Sequence, residues 1–278
     1  MVINVIYNLR YIKKYHIRGV LIMSKLSISR GMVAFVFSLS VTFVILIGIP
    51  IKDSAAKSKE NPDFGSAVFN NPLTIDNTFM PLVVGTTYVY MSETQDGTEE
   101  DTVTVTSGSE MLGGVNCRAV SDVVTLTNDV LDHVPVEETT DWYAQDDDGN
   151  IWYCGEDTVE HMYDDMGHFI GDSTEGSWNA NEPGAEPGIV MLAHPRTGNS
   201  YRQEFLEGVA EDMAKVLRLN AKVSIEMGDF EDCLKTKEWS PLEKGVVEHK
   251  YYAEGIGLVL VEELKGKTVR EELVDIIP

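Results

Sequence analysis

The stretch from Thr139 to Asp157, TTDWYAQDDDGNIWYCGED, constrains the fold more than any other part of the chain. Runs of alternating aromatic and small or polar residues flank Asp147-Asp148-Gly149-Asn150. Asp-Gly and Gly-Asn tolerate the positive φ of a two-residue turn, so the pattern predicts a β-hairpin. Trp142, Tyr143, Trp152 and Tyr153 give it more apolar ring area to bury than any other local segment.

Strand-like runs continue on both sides. Thr86–Ser92 alternates, Gln95-Asp96-Gly97 turns, and Asp101–Ser107 alternates Val with Thr. Gly113-Gly114 turns into the Val-rich run Val115–Thr127, and Asn128-Asp129 turns into Val136–Gln145. Between His161 and Pro195 the pattern breaks into Gly, Pro, Asp and Asn, which predicts an extended loop and the best place for a site. Strands resume at Ser200–Leu206. Glu211–Leu219 has a helix-like face, but the alternation over Ala221–Met227 favours strand throughout. Val246–Ala253, Ile256–Leu264 and Thr268–Ile276 predict a closing meander, with Gly255, Gly257 and Gly266 at its turns. The expected fold is all-β: a large curved antiparallel sheet, half-barrel or barrel, of roughly ten to twelve strands.

The N-terminal part has a different composition. Residues 1–52 hold no acid but carry Arg10, Lys13, Lys14, Arg18, Lys25, Arg30 and Lys52. An apolar run, Gly31–Ile49, ends at Pro50 and is followed by Ser54-Ala55-Ala56. The pattern predicts a secretory signal peptide over 1–56, with Met23 a possible start and cleavage after Ala56. The alternative is an uncleaved anchor, because the apolar run just suffices to span a bilayer. No cysteine follows the run to carry a lipid. Residues 57–78, polar and rich in Ser, Asn and Pro, are expected to form a flexible linker before a single β domain over 79–278.

The whole chain carries a net charge of −23, and losing the basic leader would leave the rest more acidic still. Such a surface repels nucleic acid and anionic lipid, so the membrane would be met only through an uncleaved N-terminal segment. In an oxidising compartment three cysteines amount to one disulfide and one free thiol. Cys154, between Tyr153 and Gly155 in an aromatic strand, reads as a buried thiol, which leaves Cys117 with Cys233 as the expected pair.

The runs DWYAQDDDGNIWYCGED, GSWNANEPGAEPGIVM, YRQEFLEGVAEDM and CLKTKEWSPLEKGVVEHKYYAEGIGLVLVEE resemble a family of uncharacterised secreted bacterial proteins. The motif DWYAQDxxGNxWYxGE and the C-terminal hairpin YYAxGxGLV carry the resemblance, which covers about Pro81 to Val274. It implies an exported, curved antiparallel fold and brings no activity or catalytic residue with it. In similar proteins cysteines stand at positions 117 and 233 and an aromatic residue at 154, which agrees with the pairing above.

Several groups are candidates for chemistry. Asp146, Asp148, Asn150 and Glu156 offer the hard oxygen ligands that Ca²⁺ takes, although the spacing is not that of an EF-hand. His161, Asp164, Asp165 and His168 would share a helix face and chelate a divalent metal, but Gly167 and the hairpin context scatter them. Tyr201-Arg202-Gln203-Glu204 reads as a charged strand with either an internal Arg–carboxylate pair or a polar anchor inside a cavity. Ser177 lies in Gly-Ser-Trp, outside any nucleophile elbow. Glu156 with Glu204 is a conceivable acid pair in a chain where acids abound.

The reading that best fits is a secreted, non-enzymatic ligand-binding or envelope-associated module. Trp142, Trp152, Trp178 and Arg202 would then wall and anchor a site for an apolar or carbohydrate-like ligand. No cofactor is expected beyond possible Ca²⁺. The alternatives are a calcium-stabilised structural protein and a carboxylate-dependent enzyme acting on an extracellular polymer.

Overall fold

The structure is a computed structural model and describes residues 62–264 and 269–278. The predicted leader over 1–56 and the turn at Gly266 lie outside the described residues. Among the described residues there is no α-helix. After a 3₁₀ turn at Phe64–Ser66, β1 (Ile75–Asn77) and β2 (Met80–Leu82) form a small separate hairpin. The strands β3 (Thr87–Glu93), β4 (Thr98–Leu112), β5 (Val115–Thr127), β6 (Val134–Gln145) and β7 (Ile151–Tyr163) then build a meander. From the far end of β7 the chain makes β8 (Phe169–Ser173), β9 (Trp178–Asn179) and β10 (Glu186–Met191), all paired with β7. Next come β11 (Ser200–Arg202), β12 (Glu204–Phe205), β13 (Met213–Ile225) and β14 (Gly228–Trp239). The chain closes with β15 (Glu248–Ala253), β16 (Gly257–Glu263) and β17 (Val269–Ile277).

Fifteen of these strands form one antiparallel sheet, in which β17 pairs with β3 and so joins the C-terminal meander to the first one. The sheet is nearly closed into a barrel by the stretch from Ser200 to Phe205. Its first half, β11, pairs with β13 on one edge; its second half, β12, pairs with β10 on the other. Gln203 sits at the break and donates its backbone N–H to the Asp212 carbonyl at 2.7 Å. Gly188 makes the seam possible, since a Cβ there would lie 2.4 Å from the Gln203 carbonyl carbon and 2.6 Å from the Arg202 oxygen.

Successive residues face opposite sides of a sheet, and this parity sorts the aromatic hairpin. Ala144 lies across from Trp152 and Tyr143 across from Tyr153, with a bulge beside Trp142. The Tyr143 and Tyr153 rings stack at 5.1 Å. Trp142 instead packs with Cys117, Ala144 and Cys154, and Trp152 is covered by Phe64 and Phe69 at 5.3 and 6.4 Å. The segment from residue 62 to 78, expected as linker, is therefore packed: two of its aromatics cover the hairpin. Asn77 donates from Nδ2 to the Gly149 carbonyl at 2.9 Å, and the Gln145 Oε1 accepts from the N–H groups of Asp76 and Asn77.

Other expectations also change. The loop expected over His161–Pro195 is a set of short strands, because β7 runs on far enough to pair with three partners. The strand reading of residues 211–227 holds in β13, and the C-terminal meander forms as expected. The hairpin turn is longer than the expected two residues: Asp146 to Asn150 separate Gln145 from its partner Ile151. Gly149, at φ 91°, supplies the left-handed residue that turn requires.

Cys117 and Cys233 are not bonded; all three cysteines are free and buried. Cys117 lies beside Cys154, whereas Cys233 belongs to the main core. The strand order explains the difference. From β5, which holds Cys117, the sheet runs through β4, β3, β17, β16 and β15 before reaching Cys233 on β14. Neighbouring strands are about 4.8 Å apart, so that separation far exceeds the roughly 7 Å Cα limit of a disulfide.

Candidate functional site: an acidic lumen

The face of the meander opposite Trp142 looks into the barrel, around a cavity of about 220 Å³. Its apolar wall includes Val103, Val120, Val124, Leu258 and Val261, and the rings of Tyr88, Tyr90, Tyr143 and Tyr252 add aromatic faces. Set into these walls are Asp101, Asp122, Asp141, Glu238, Glu248 and Glu271, against a single ammonium, Lys250, among the described residues that line it. The cross-strand register places the aspartates in alternation with valines: Asp101 opposite Val124, Asp122 opposite Val103, and Asp141 opposite Val120. Asp101, Asp122 and Asp141 therefore form a diagonal over β4, β5 and β6.

Asp141 is buried and accepts a hydrogen bond from the Tyr153 hydroxyl. Burial, then the neighbouring Asp122, pushes its carboxyl up to about 7, against the opposing pull of Tyr153 and Lys250. Glu156 lies directly across the strand pair from Asp141. Its carboxyl is held well above the ordinary range by burial, then by Glu204 and Asp141. Glu204 accepts the Trp178 indole N–H at 2.7 Å, yet burial and then Asp212 raise it to about 8. The Tyr153 ring meets Trp178 edge-on at 5.7 Å.

On the other wall Glu238 is fully engaged. It accepts from Thr236 Oγ1 at 2.7 Å, Gln203 Nε2 at 3.1 Å and the Tyr252 hydroxyl at 3.2 Å, and pairs with Lys250 at 3.2 Å. Glu248 approaches the same ammonium at 3.6 Å. Burial works against the Lys250 charge, but Glu238 and Glu248 outweigh it and hold the ammonium well above its usual value.

The residues singled out from sequence do not converge. Trp152 and Trp178 are buried in packing, Trp142 belongs to the cluster behind the sheet, and Arg202 is exposed, paired with Glu186 at 3.2 Å and lying over the Phe205 ring. They form no cavity wall, because β parity sends Trp142 and Trp152 away from the lumen. The acidic turn is not assembled for Ca²⁺ either. Asp146 accepts from the Asn150 N–H, Asn150 Nδ2 and the Trp152 indole, while Asp148 is exposed and Glu156 belongs to the carboxylate group around Asp141 and Glu204. His161 bridges Asp172 and Glu138, and His168 meets Asp164, so that group is divided as well. Among the described residues no three His, Cys, Asp or Glu side chains are grouped to hold a metal.

The pair Glu156 and Glu204 is the exception, since the fold brings both into one buried group. Glu204 is sealed behind Trp178, with both side chains almost without exposure, so a polymer strand has no approach to it. Sequence reading overlooked the lumen aspartates. A signal was present: Asp122 interrupts the period-two apolar face Val120, Val124, and an acid in such a face marks a polar interior.

Fold and site together define a large antiparallel sheet, nearly closed into a barrel, with an acidic lumen. No family model matches the chain, and no curated protein matches it. Two solved structures are similar. One is a candidate exported protein with a YmcC-like fold from Bacteroides fragilis: 15% identity, TM-score 0.39, covering 73% of this chain and 100% of that one. The other is a candidate lipoprotein from Parabacteroides distasonis: 14% identity, TM-score 0.37, covering 72% and 99%. Those values lie below the level at which a shared function follows, so the site rests on its own geometry.

Proposed function

We propose that this chain is an exported binding protein, without catalysis of its own, that takes a small ligand into the lumen of its barrel. The observation that carries the reading is the cavity of about 220 Å³ walled by both valines and carboxylates. A core that served stability only would not hold acids such as Asp141 away from water at the cost of keeping them protonated near neutral pH. Enclosed, mostly apolar pockets with a few placed polar groups are the usual form of a small-molecule site. Export is supported by the basic, then apolar, N-terminal sequence followed by small residues.

The test is a thermal-shift screen of the full chain against small amines, alcohols, acids and sugars, with every hit repeated on Val103→Phe. The new ring would fill the cavity from its wall. A ligand present at 100 times its dissociation constant stabilises by about 2.7 kcal/mol, which such a screen resolves. Stabilisation that disappears in Val103→Phe supports lumen binding; stabilisation that survives in it places the ligand elsewhere and overturns the reading.

A further inference from the structure

We propose that the lumen binds a small organic ammonium ion, with Asp101, Asp122 and Asp141 around its charge and the intervening valines against its hydrocarbon part. This rests on the reading of the lumen as a ligand site and names the chemistry of the occupant.

Three features of the cavity point the same way. Its lining carries six carboxylates against one ammonium, and that ammonium is already committed to Glu238 and Glu248. An anionic ligand would add charge of the sign already in excess, whereas a cation offsets it where the dielectric is low. The chequer of aspartates and valines fits a charged head with an alkyl body, and the four tyrosine rings supply faces that attract a cation. The size fits too: drug-sized ligands need roughly 300 Å³ or more, so about 220 Å³ suits a smaller molecule.

An independent sign comes from Tyr201. It is 2% exposed, and its hydroxyl has no hydrogen-bond partner among the protein groups. Tyr201 lies opposite Ala214 on β13, and Ala214 lies opposite Glu238 on β14, so Tyr201 shares the inner face with Glu238, which lines the cavity. Glu238 and Lys250 both act on its phenol electrostatically. A buried hydroxyl left unpaired is costly, and a ligand group that reached it would recover that cost. A bare metal ion is a poorer occupant, because no three acids are grouped tightly enough to ligate one among the described residues.

The proposal also predicts proton release. Asp141 is faced by Asp122 from β5, Tyr153 and Glu156 from β7, Glu204 from β12 and Lys250 from β15. An ammonium set against this group displaces the proton that Asp141 shares with solvent near neutral pH. Affinity therefore rises about tenfold between pH 6 and pH 8, a range in which an alkylammonium keeps its charge.

The experiment is isothermal titration of the full chain with n-butylammonium, n-butanol and butyrate, and with CaCl₂ as a metal arm. The expected result is binding of n-butylammonium at least about tenfold tighter than the other three. The binding should weaken about tenfold in Asp122→Asn and in Asp101→Asn, either of which serves if the other fails to fold, and vanish in Val103→Phe. Equal binding of n-butanol or butyrate, lost in Val103→Phe, overturns the cation and leaves the lumen reading standing. Tighter binding of Ca²⁺ overturns the organic ligand. Failure of n-butylammonium to bind, or binding indifferent to the aspartate changes and to pH, overturns the proposal outright.

Discussion

Trp152 and Trp178 each donate an indole N–H to a buried carboxylate, at 2.8 Å to Asp146 and 2.7 Å to Glu204. The two acids are equally buried, at 6% exposure each. Their neighbours differ. Asp146 receives two further donors from Asn150, its backbone N–H at 2.8 Å and its Nδ2 at 2.9 Å. Glu204 accepts the Trp178 indole and the Asp212 backbone N–H but sits among other acids, and its carboxyl is pushed up to about 8 by burial and then by Asp212. Burial alone therefore does not mark a carboxylate as functional. What separates the two is the company each acid keeps: amide and indole donors around Asp146, further carboxylates around Glu204.

The largest expected effect breaks the Glu204 side. A Cβ at Gly155, which has φ 144°, would lie 2.5 Å from the Trp178 carbonyl oxygen and 2.6 Å from the Asn179 Cα. Gly155→Ala should cost more than about 3 kcal/mol and shift Trp178 fluorescence to the red. An unchanged melting temperature would mean that β9 is not held against β7 as described.

Next comes the turn. Asp146→Ala strands the Trp152 indole and the Asn150 N–H and should cost about 2–4 kcal/mol in denaturant unfolding. Asp146→Asn keeps an oxygen acceptor and should cost clearly less; equal losses would show that charge rather than hydrogen bonding holds the turn.

The pH dependence sharpens the contrast further. Glu204 at about 8 and Asp141 at about 7 are both raised above their unfolded values. Between the unfolded and folded pKa the native state holds protons that the unfolded chain has released, so stability falls as pH rises through that window. From about pH 5 to 8 the loss should be on the order of 1 kcal/mol per pH unit, and Glu204→Gln should flatten the upper part of the curve. A wild-type melting temperature that rises over this range would contradict the description of Asp141 and Glu204.

The smallest effect belongs to Arg202, whose ion pair with Glu186 is solvent-exposed. Arg202→Ala should change stability by about 1 kcal/mol or less, counting its place over Phe205. A larger loss would restore it as an anchor.

Much of the fold was legible because strand alternation and turn residues are local. The β6–β7 hairpin, the Val-rich run of β5 and the C-terminal meander all follow from period-two patterns bounded by Gly, Asn and Asp. The site was less so. Large rings attract attention in a sequence, yet Trp142 and Trp152 share a parity that turns them from the lumen, while Asp141 and Tyr143, one residue out of step, face it. The cysteines were misread for a related reason, since pairing depends on strand order around the barrel and not on spacing along the chain.

By itself, then, the sequence determined an all-β chain with a large excess of acids, because periodicity, turn chemistry and composition act over a few residues at a time. Only the tertiary structure decided which acids meet. Asp101, Asp122, Asp141 and Glu238 come from four different strands, and closure of the sheet through residues 200–205 is what turns their faces toward one another. Once enclosed, the same carboxylates that would be ordinary surface charges lose their water and act on each other, and that gives the lumen its chemistry.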